Sequence, residues 1–167
     1  MKAALWYGRE DVRLEDIKEP EVTPGSVKIK VKWCGICGSD LHEYLGGPIF
    51  IPQGTPHPIS GCVAPVVLGH EFSGEITEVG EGVAGLEIGD RVAVEPIVAC
   101  GTCAACLEGK YNLCSSLGFH GLCGGGGGFA EYTVFPAKFV HKIPDGLSYE
   151  KAALIEPIAV AVHSLRT

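Results

Sequence analysis

Apolar residues alternate with polar ones through Val27, Ile29, Val31 and Trp33, with Lys28, Lys30 and Lys32 between them. That is the period of a half-buried strand with one wet face, so the lysines are assigned to solvent. Short runs of the same kind occupy 1–7 and 12–17, around a Gly8-Arg9-Glu10-Asp11 turn, and the Lys series extends as a strand over 27–34. Others lie at 72–79 and 91–95, separated by Gly80-Glu81-Gly82 and Gly89-Asp90, and at 129–135 and 139–143 after five consecutive glycines. Short strands at regular spacing with turn signals between them predict a mainly β body, a barrel or sandwich, without internal repeats. The stretch from Gly46 to Pro65 has no period of its own, and a loop of that length in a compact domain is usually functional or mobile.

The pattern changes at Ser148. This residue is a good N-cap for a helix through Leu154, and Glu150 in its first turn suits the positive end of the helix dipole. Pro157 is predicted to break that helix and start a second, apolar one over 158–165. The division expected is a β body over 1–147 and a helical segment, 148–167, that leads into a further domain beyond Thr167.

Composition narrows the classes. With 46% hydrophobic and 20% charged residues the balance is globular, and a net charge of -7 without a basic run argues against nucleic acid. The opening Met-Lys-Ala-Ala-Leu is followed by no apolar run long enough for a signal peptide or a membrane span, so a cytoplasmic protein with no membrane partner is expected.

Two sets of metal-binding side chains stand out. Cys100, Cys103, Cys106 and Cys114 place four thiols in fifteen residues with two, two and seven residues between them. A Cys-x2-Cys loop lets neighbouring sulfurs face one ion, and four thiolates are the ligand set of structural zinc. Disulfides are the weaker reading, because they belong to secreted chains.

The second set is scattered. Cys34-Gly35-Ile36-Cys37-Gly38-Ser39-Asp40-Leu41-His42 closes a strand and opens a short helix, whose N-terminus favours a thiolate. Gly69-His70-Glu71 and the lone Glu156 supply an imidazole and carboxylates. One thiolate, one imidazole and one or two carboxylates form a mixed set of the kind that holds a catalytic zinc with an open position.

Gly69-His70-Glu71-x2-Gly74-x5-Gly80-x2-Val83 resembles the zinc signature of the medium-chain alcohol dehydrogenases. Gly35-Ile36-Cys37-x-Ser39-Asp40-x-His42 is similar to that family's first metal-ligand segment, and the four-cysteine run fits the same family. The resemblance spans residues 1 to 167, and the run from Val31 to Phe50 looks most like the (R,R)-2,3-butanediol dehydrogenases, with sorbitol and threonine dehydrogenases as the nearest competitors.

The resemblance implies a GroES-like barrel as catalytic domain, a structural zinc lobe near 96–116, and C-terminal helices leading into a Rossmann domain that lies outside this chain. It implies two zinc ions per chain, NAD or NADP in the full-length enzyme, a small alcohol or diol as substrate, and a homo-oligomer. Cys37 and His70 match the first two catalytic ligands, Asp40 a carboxylate that orients the histidine, and Glu71 or Glu156 the third ligand. Glu156 hangs on the helical segment, so it is expected to stand back from the other ligands. Ser39 matches the hydroxyl that contacts the substrate oxygen, and His42, one turn on, would pass the proton to solvent. Gly38 stands where some relatives have an arginine that contacts the cofactor's phosphates, so phosphate binding would rest on the further domain.

His57, His120, His141 and His163, with Cys34, Cys62 and Cys123, lie outside both sets, and the glycines 124–128 read as a loop because no helix follows them. Two other classes compete with a dehydrogenase: a zinc-stabilised binding module and a zinc hydrolase. A hydroxyl and a histidine beside an open metal position favour the dehydrogenase over a scaffold.

Overall fold

A computed structural model describes residues 1–166, so Thr167 lies outside the described residues. Ten strands form three antiparallel sheets: β1 (Lys2–Gly8), β2 (Asp11–Asp16), β3 (Ser26–Gly35), β4 (Val66–Val67), β5 (Glu71–Val79), β6 (Arg91–Val94), β7 (Ile97–Val98), β8 (Gly118–Phe119), β9 (Tyr132–Pro136) and β10 (Val140–Lys142). The central sheet runs β10-β6-β5-β3-β9, a second β2-β1-β4, and β7 pairs with β8 alone. Among the described residues there are four α-helices, α1 (Gly38–Gly46), α2 (Ala104–Leu107), α3 (Tyr149–Ala152) and α4 (Ile155–Arg166), with two short 3-10 turns besides.

The core lies where alternation puts it. Val27 and Ile29 from β3, Phe72 and Ile76 from β5, Val92 and Val94 from β6, and Phe135 from β9 pack into one buried cluster. Trp6, Ile51, Val66, Leu68 and Leu122 form a second cluster under the long loop. Burying such side chains contributes roughly 1.5–3 kcal/mol each, which offsets the cost of ordering the strands.

Strand β3 departs from simple alternation. Its register on β5 shifts between Lys28 and Ile29 and again between Val31 and Trp33. A bulge turns the following side chains to the other face, so Trp33 is exposed, against the sequence pattern. Lys28, read as a solvent lysine, is buried and clamped between Glu19 at 2.9 Å and Glu78 at 2.5 Å. Those two carboxylates, Glu78 from β5 and Glu19 from the segment after β2, compensate the buried ammonium. The run at 129–135 also starts late, because Ala130 makes only an isolated bridge to Ala3 before β9 begins.

The β3–β5 register sets the chemistry. It pairs Cys34 with Phe72 and Gly35 with Glu71, so the end of one strand meets the start of the other. Both segments that carry the mixed ligand set therefore leave the sheet at the same edge.

Helix α4 begins at Ile155, earlier than the proline predicted, with Glu156 and Pro157 inside its first turn. Pro157 is tolerated there because first-turn amides lack intrahelical acceptors. Ser148 caps α3 as expected, accepting from the Lys151 amide. The passage into these helices is tied to the sheet: Ser73 Oγ donates to the Tyr149 carbonyl at 2.6 Å, and the Arg91 guanidinium lies 4.5 Å from the centre of the Tyr149 ring. Ile158, Val160, Val162 and Leu165 remain exposed along α4. Among the described residues, no helix is long and apolar enough to cross a membrane.

Candidate metal centres

Cys100, Cys103, Cys106 and Cys114 bring their sulfurs within 4.8 Å of one another, and all eight cysteines of the chain are free. The local fold aims backbone amides at the sulfurs. Cys103 N–H donates to Cys100 Sγ at 3.3 Å, Cys100 N–H to Cys114 Sγ at 3.3 Å, and Ser116 N–H to Cys114 Sγ at 3.4 Å. Such donors favour thiolates. The N–H groups of Thr102 and Cys103 lower the Cys100 thiol to about 6, and those of Ser115 and Cys106 lower Cys103. Cys106, by contrast, is pushed up to about 12 by burial. Without a cation the set does not hold four anions together, and this is the charge pattern that a divalent, sulfur-preferring ion such as zinc completes.

The second set lies at the sheet edge. Cys37 is the N-cap of α1, and its amide donates to Asp40 Oδ2 at 3.0 Å, which fixes the first turn. His70 and Glu71 enter from the start of β5, and one donor atom from each of Cys37, His70 and Glu71 lies within 4.8 Å of the others. Gly35 makes the room: a Cβ there would come within 2.5 Å of Glu71 Oε2.

His70 is flanked on both sides. Its Nδ1 lies 3.7 Å from Asp40 Oδ1, both atoms are buried, and neither has a hydrogen-bond partner. Nε2 lies 3.2 Å from Ser39 Oγ. A small closure would let Nδ1 donate to Asp40 and leave Nε2 as the ligand nitrogen, so the orphaned pair fits a metal-binding histidine. Burial raises the Asp40 carboxyl above its ordinary value, against the pull of His70 and of the Cys37 and Gly69 amides.

A cavity of about 280 Å³ opens over this set. Its polar lining is Cys37, Ser39, His70, Glu71 and Glu156, and Phe50, Phe119 and Leu122 supply apolar walls. Glu156 lines the cavity without joining the tight group of three donors. His42, one turn after Ser39 on α1, is exposed to solvent and does not line the cavity. The structure thus gathers Cys37, Ser39, Asp40, His70 and Glu71, keeps Glu156 at the rim, and leaves His42 outside.

The histidines and cysteines read as bystanders stay outside both groups. His120 is fully enclosed beside Thr133 Oγ1 at 2.6 Å, and burial lowers it to about 3. Cys34, Cys62 and Cys123 are all raised by burial. Sequence reasoning missed Phe50, Phe119 and the fully buried Glu43. The available signal was Glu43 itself, four residues after Ser39 and so on the same helix face, ahead of a Gly-Gly-Pro turn.

Glu156 makes a testable electrostatic prediction. Burial first, and the charge of Glu71 second, raise its carboxyl from 4.5 to about 7. A raised carboxyl pKa contributes stability that is complete below the unfolded value and lost as pH rises through the folded one. Glu156→Gln should therefore stabilise the chain above about pH 7, by about 1–2 kcal/mol after solvent screening, with little gain below about pH 4.5. Thermal unfolding after dialysis against a weak chelator, which empties the mixed site and spares the thiolate site, measures it. An equal effect at both ends of this window would count against it.

Comparison with known proteins agrees with this geometry. The (R,R)-butanediol dehydrogenase of Bacillus subtilis is 59% identical over 167 residues, covering 100% of this chain and 47% of the relative. A crystal structure of 2R,3R-butanediol dehydrogenase from Bacillus subtilis superposes with a TM-score of 0.92 at 59% identity, over 99% of this chain and 47% of that one. An alcohol dehydrogenase from E. coli complexed with NADH gives a TM-score of 0.83 at 40% identity, over 97% of this chain and 44% of that one. The chain thus spans about half the length of the relatives it matches. The model of the alcohol dehydrogenase GroES-like domain matches residues 23–145, most of the sequence, and on this ground the chain belongs to the alcohol dehydrogenase GroES-like family.

Proposed function

We propose that these residues are the catalytic half of a zinc-dependent, nicotinamide-linked dehydrogenase that oxidises a secondary alcohol or diol such as 2,3-butanediol to a ketone. In this reading 1–147 is the catalytic unit, with the structural zinc lobe near 96–116, and 148–167 begins the connection to a nucleotide-binding domain. The observation that carries it is the three-donor set of Cys37, His70 and Glu71, open to a cavity with the Ser39 hydroxyl 3.2 Å from His70 Nε2. Three mixed donors fit a zinc that keeps a position for substrate, whereas the four thiolates fit a closed structural site.

When bound, the zinc supplies a Lewis acid that lowers the pKa of an alcohol hydroxyl, and the nicotinamide supplies the hydride acceptor. The chain's own residues do the rest. Ser39 Oγ would accept the alcohol's proton as it gives up its own, which His42, exposed on the next turn of α1, would deliver to solvent. Asp40 faces His70 Nδ1 at 3.7 Å, and by closing to hydrogen-bond distance it would hold the ring in one tautomer and orientation. Phe50, Phe119 and Leu122 exclude water from the reacting carbon, and Glu156 waits at the rim as a second carboxylate beside Glu71. Similarity to a butanediol dehydrogenase and to an NADH complex supports the substrate class and cofactor. The full-length protein is proposed to assemble as a homo-oligomer.

The test is NADH formation with 2,3-butanediol, sorbitol and simple secondary alcohols, using the protein at the length of its relatives and the 167-residue chain alone. The longer protein should be active and the chain alone inactive, because hydride transfer needs both reactants held in near-attack geometry. Equal activity in the two would refute the two-domain reading. A zinc-loaded longer protein that oxidises none of these alcohols, or that hydrolyses esters without a nicotinamide, would refute the dehydrogenase.

A further inference from the structure

We propose that Glu43 is a positioning residue that fixes the cavity wall at Phe50, and so sets the size of the substituent the alcohol may carry; this rests on the dehydrogenase reading above. Glu43 is completely buried on α1. Its carboxylate accepts three consecutive backbone amides: Ile49 N–H at 3.0 Å on Oε2, and Phe50 N–H and Ile51 N–H on Oε1, the last at 3.2 Å. Its own carbonyl accepts from Trp6 Nε1 at 3.1 Å and from the Gly47 amide at 2.9 Å. The loop is drawn tight over this group, since a Cβ on Gly47 would come within 2.5 Å of Glu43 Oε2.

A buried carboxylate is costly unless donors satisfy it, and here the donors are the loop. Residues 49–51 belong to no strand or helix, so Glu43 takes the place of a partner strand for their amides. Phe50 sits in the middle of the three. Its ring lines the cavity beside Cys37, Ser39 and His70, and meets the Phe119 ring edge-on at 6.4 Å. Ile51, the next residue, is 2% exposed and anchors the loop in the second core cluster.

Ser39 and Glu43 are four residues apart on one helix, hence on one face of it. The hydroxyl that meets the alcohol and the carboxylate that holds the wall are therefore carried by one rigid element. The distance from reacting oxygen to cavity wall is therefore tied to α1 as well as to the loop's anchor at Ile51.

Glutamine tests this because it matches the shape but has one acceptor oxygen, and its amide group would face a backbone N–H. The measurements are kcat/KM for 2,3-butanediol and for a bulkier secondary alcohol, 1-phenylethanol, with zinc content and amide exchange, in the zinc-loaded full-length protein. Phe50→Ala should shift the ratio of the two alcohols roughly tenfold toward the bulkier one. Glu43→Gln should shift it the same way, with unchanged zinc and with exchange at Ile49–Ile51 accelerated about tenfold or more. The double variant should shift no further than Phe50→Ala.

A Glu43→Gln protein that loses rate equally on both alcohols, or shifts that add in the double variant, would overturn the proposal. If Glu43→Gln does not fold, wild-type exchange and the Phe50→Ala ratio decide. Amides at Ile49–Ile51 as labile as those of Gln53 and Thr55, or an unchanged ratio, overturn it. A wild type inactive on every alcohol refutes the dehydrogenase reading instead, while the exchange data still report whether Glu43 holds the loop.

Discussion

Cys103→Ser is expected to lower the zinc content from about two ions per chain to one and to destabilise the protein by about 3 kcal/mol or more. The size of the effect follows from what the lobe lacks. Helix α2 has no buried residue, the short turn at Tyr111–Leu113 has none, and Leu107 and Leu113 are 75% and 64% exposed. A segment that buries so little apolar surface cannot offset its own ordering entropy, so a bound ion would serve as its core. Elemental analysis and thermal unfolding read the two halves of the prediction, and trypsin cleavage after Lys110 reports the lobe directly. Unchanged zinc and an unchanged Tm would show that the four thiols are not a metal site.

His70→Ala should behave in the opposite way. It is expected to remove the ion proposed for the mixed centre and to lower kcat/KM of the proposed full-length dehydrogenase about a thousandfold or more, while the fold remains intact. The reason for tolerance is Asp40. Its carboxyl loses the facing imidazole but keeps the Cys37 amide at 3.0 Å, and its pKa is already raised, so it can take up a proton rather than stay an unpaired buried charge. The cost in stability should then be about 1–2 kcal/mol. Retention of both ions would exclude His70 as a ligand, and global unfolding would show that the dyad is structural.

Much of this is legible in the sequence, because it is written locally. The cysteine spacing fits one ion, and Ser148 sits where a cap belongs. The strands of the central sheet were readable from period two, since both the pattern and the burial have that period. What escaped depends on partners distant in sequence. Lys28 looks like any strand lysine until Glu19 and Glu78 close on it, and Trp33 looks inward until the register shift between Val31 and Trp33 turns it outward. Glu43 reads as one more polar helix residue, since nothing nearby reveals that three loop amides will turn toward it. For Glu71 and Glu156 the sequence offered a choice. Strand register groups Glu71 with Cys37 and His70, whereas Glu156 depends on the tether of Tyr149 to Ser73.

The antiparallel pairing of β3 with β5 also dictates the order in which the two centres can mature. The four sulfurs lie within fifteen consecutive residues, so that centre is complete once a short segment of chain is available to the ion. Cys37 and His70 are 33 positions apart and meet only when Gly35 is paired with Glu71 across two finished strands. Closing that longer loop costs more chain entropy than closing the cysteine run, so a metal at the mixed centre would depend on the sheet being formed. An ion at the first centre would need only a local stretch of chain, whereas one at the second would close on a sheet already built.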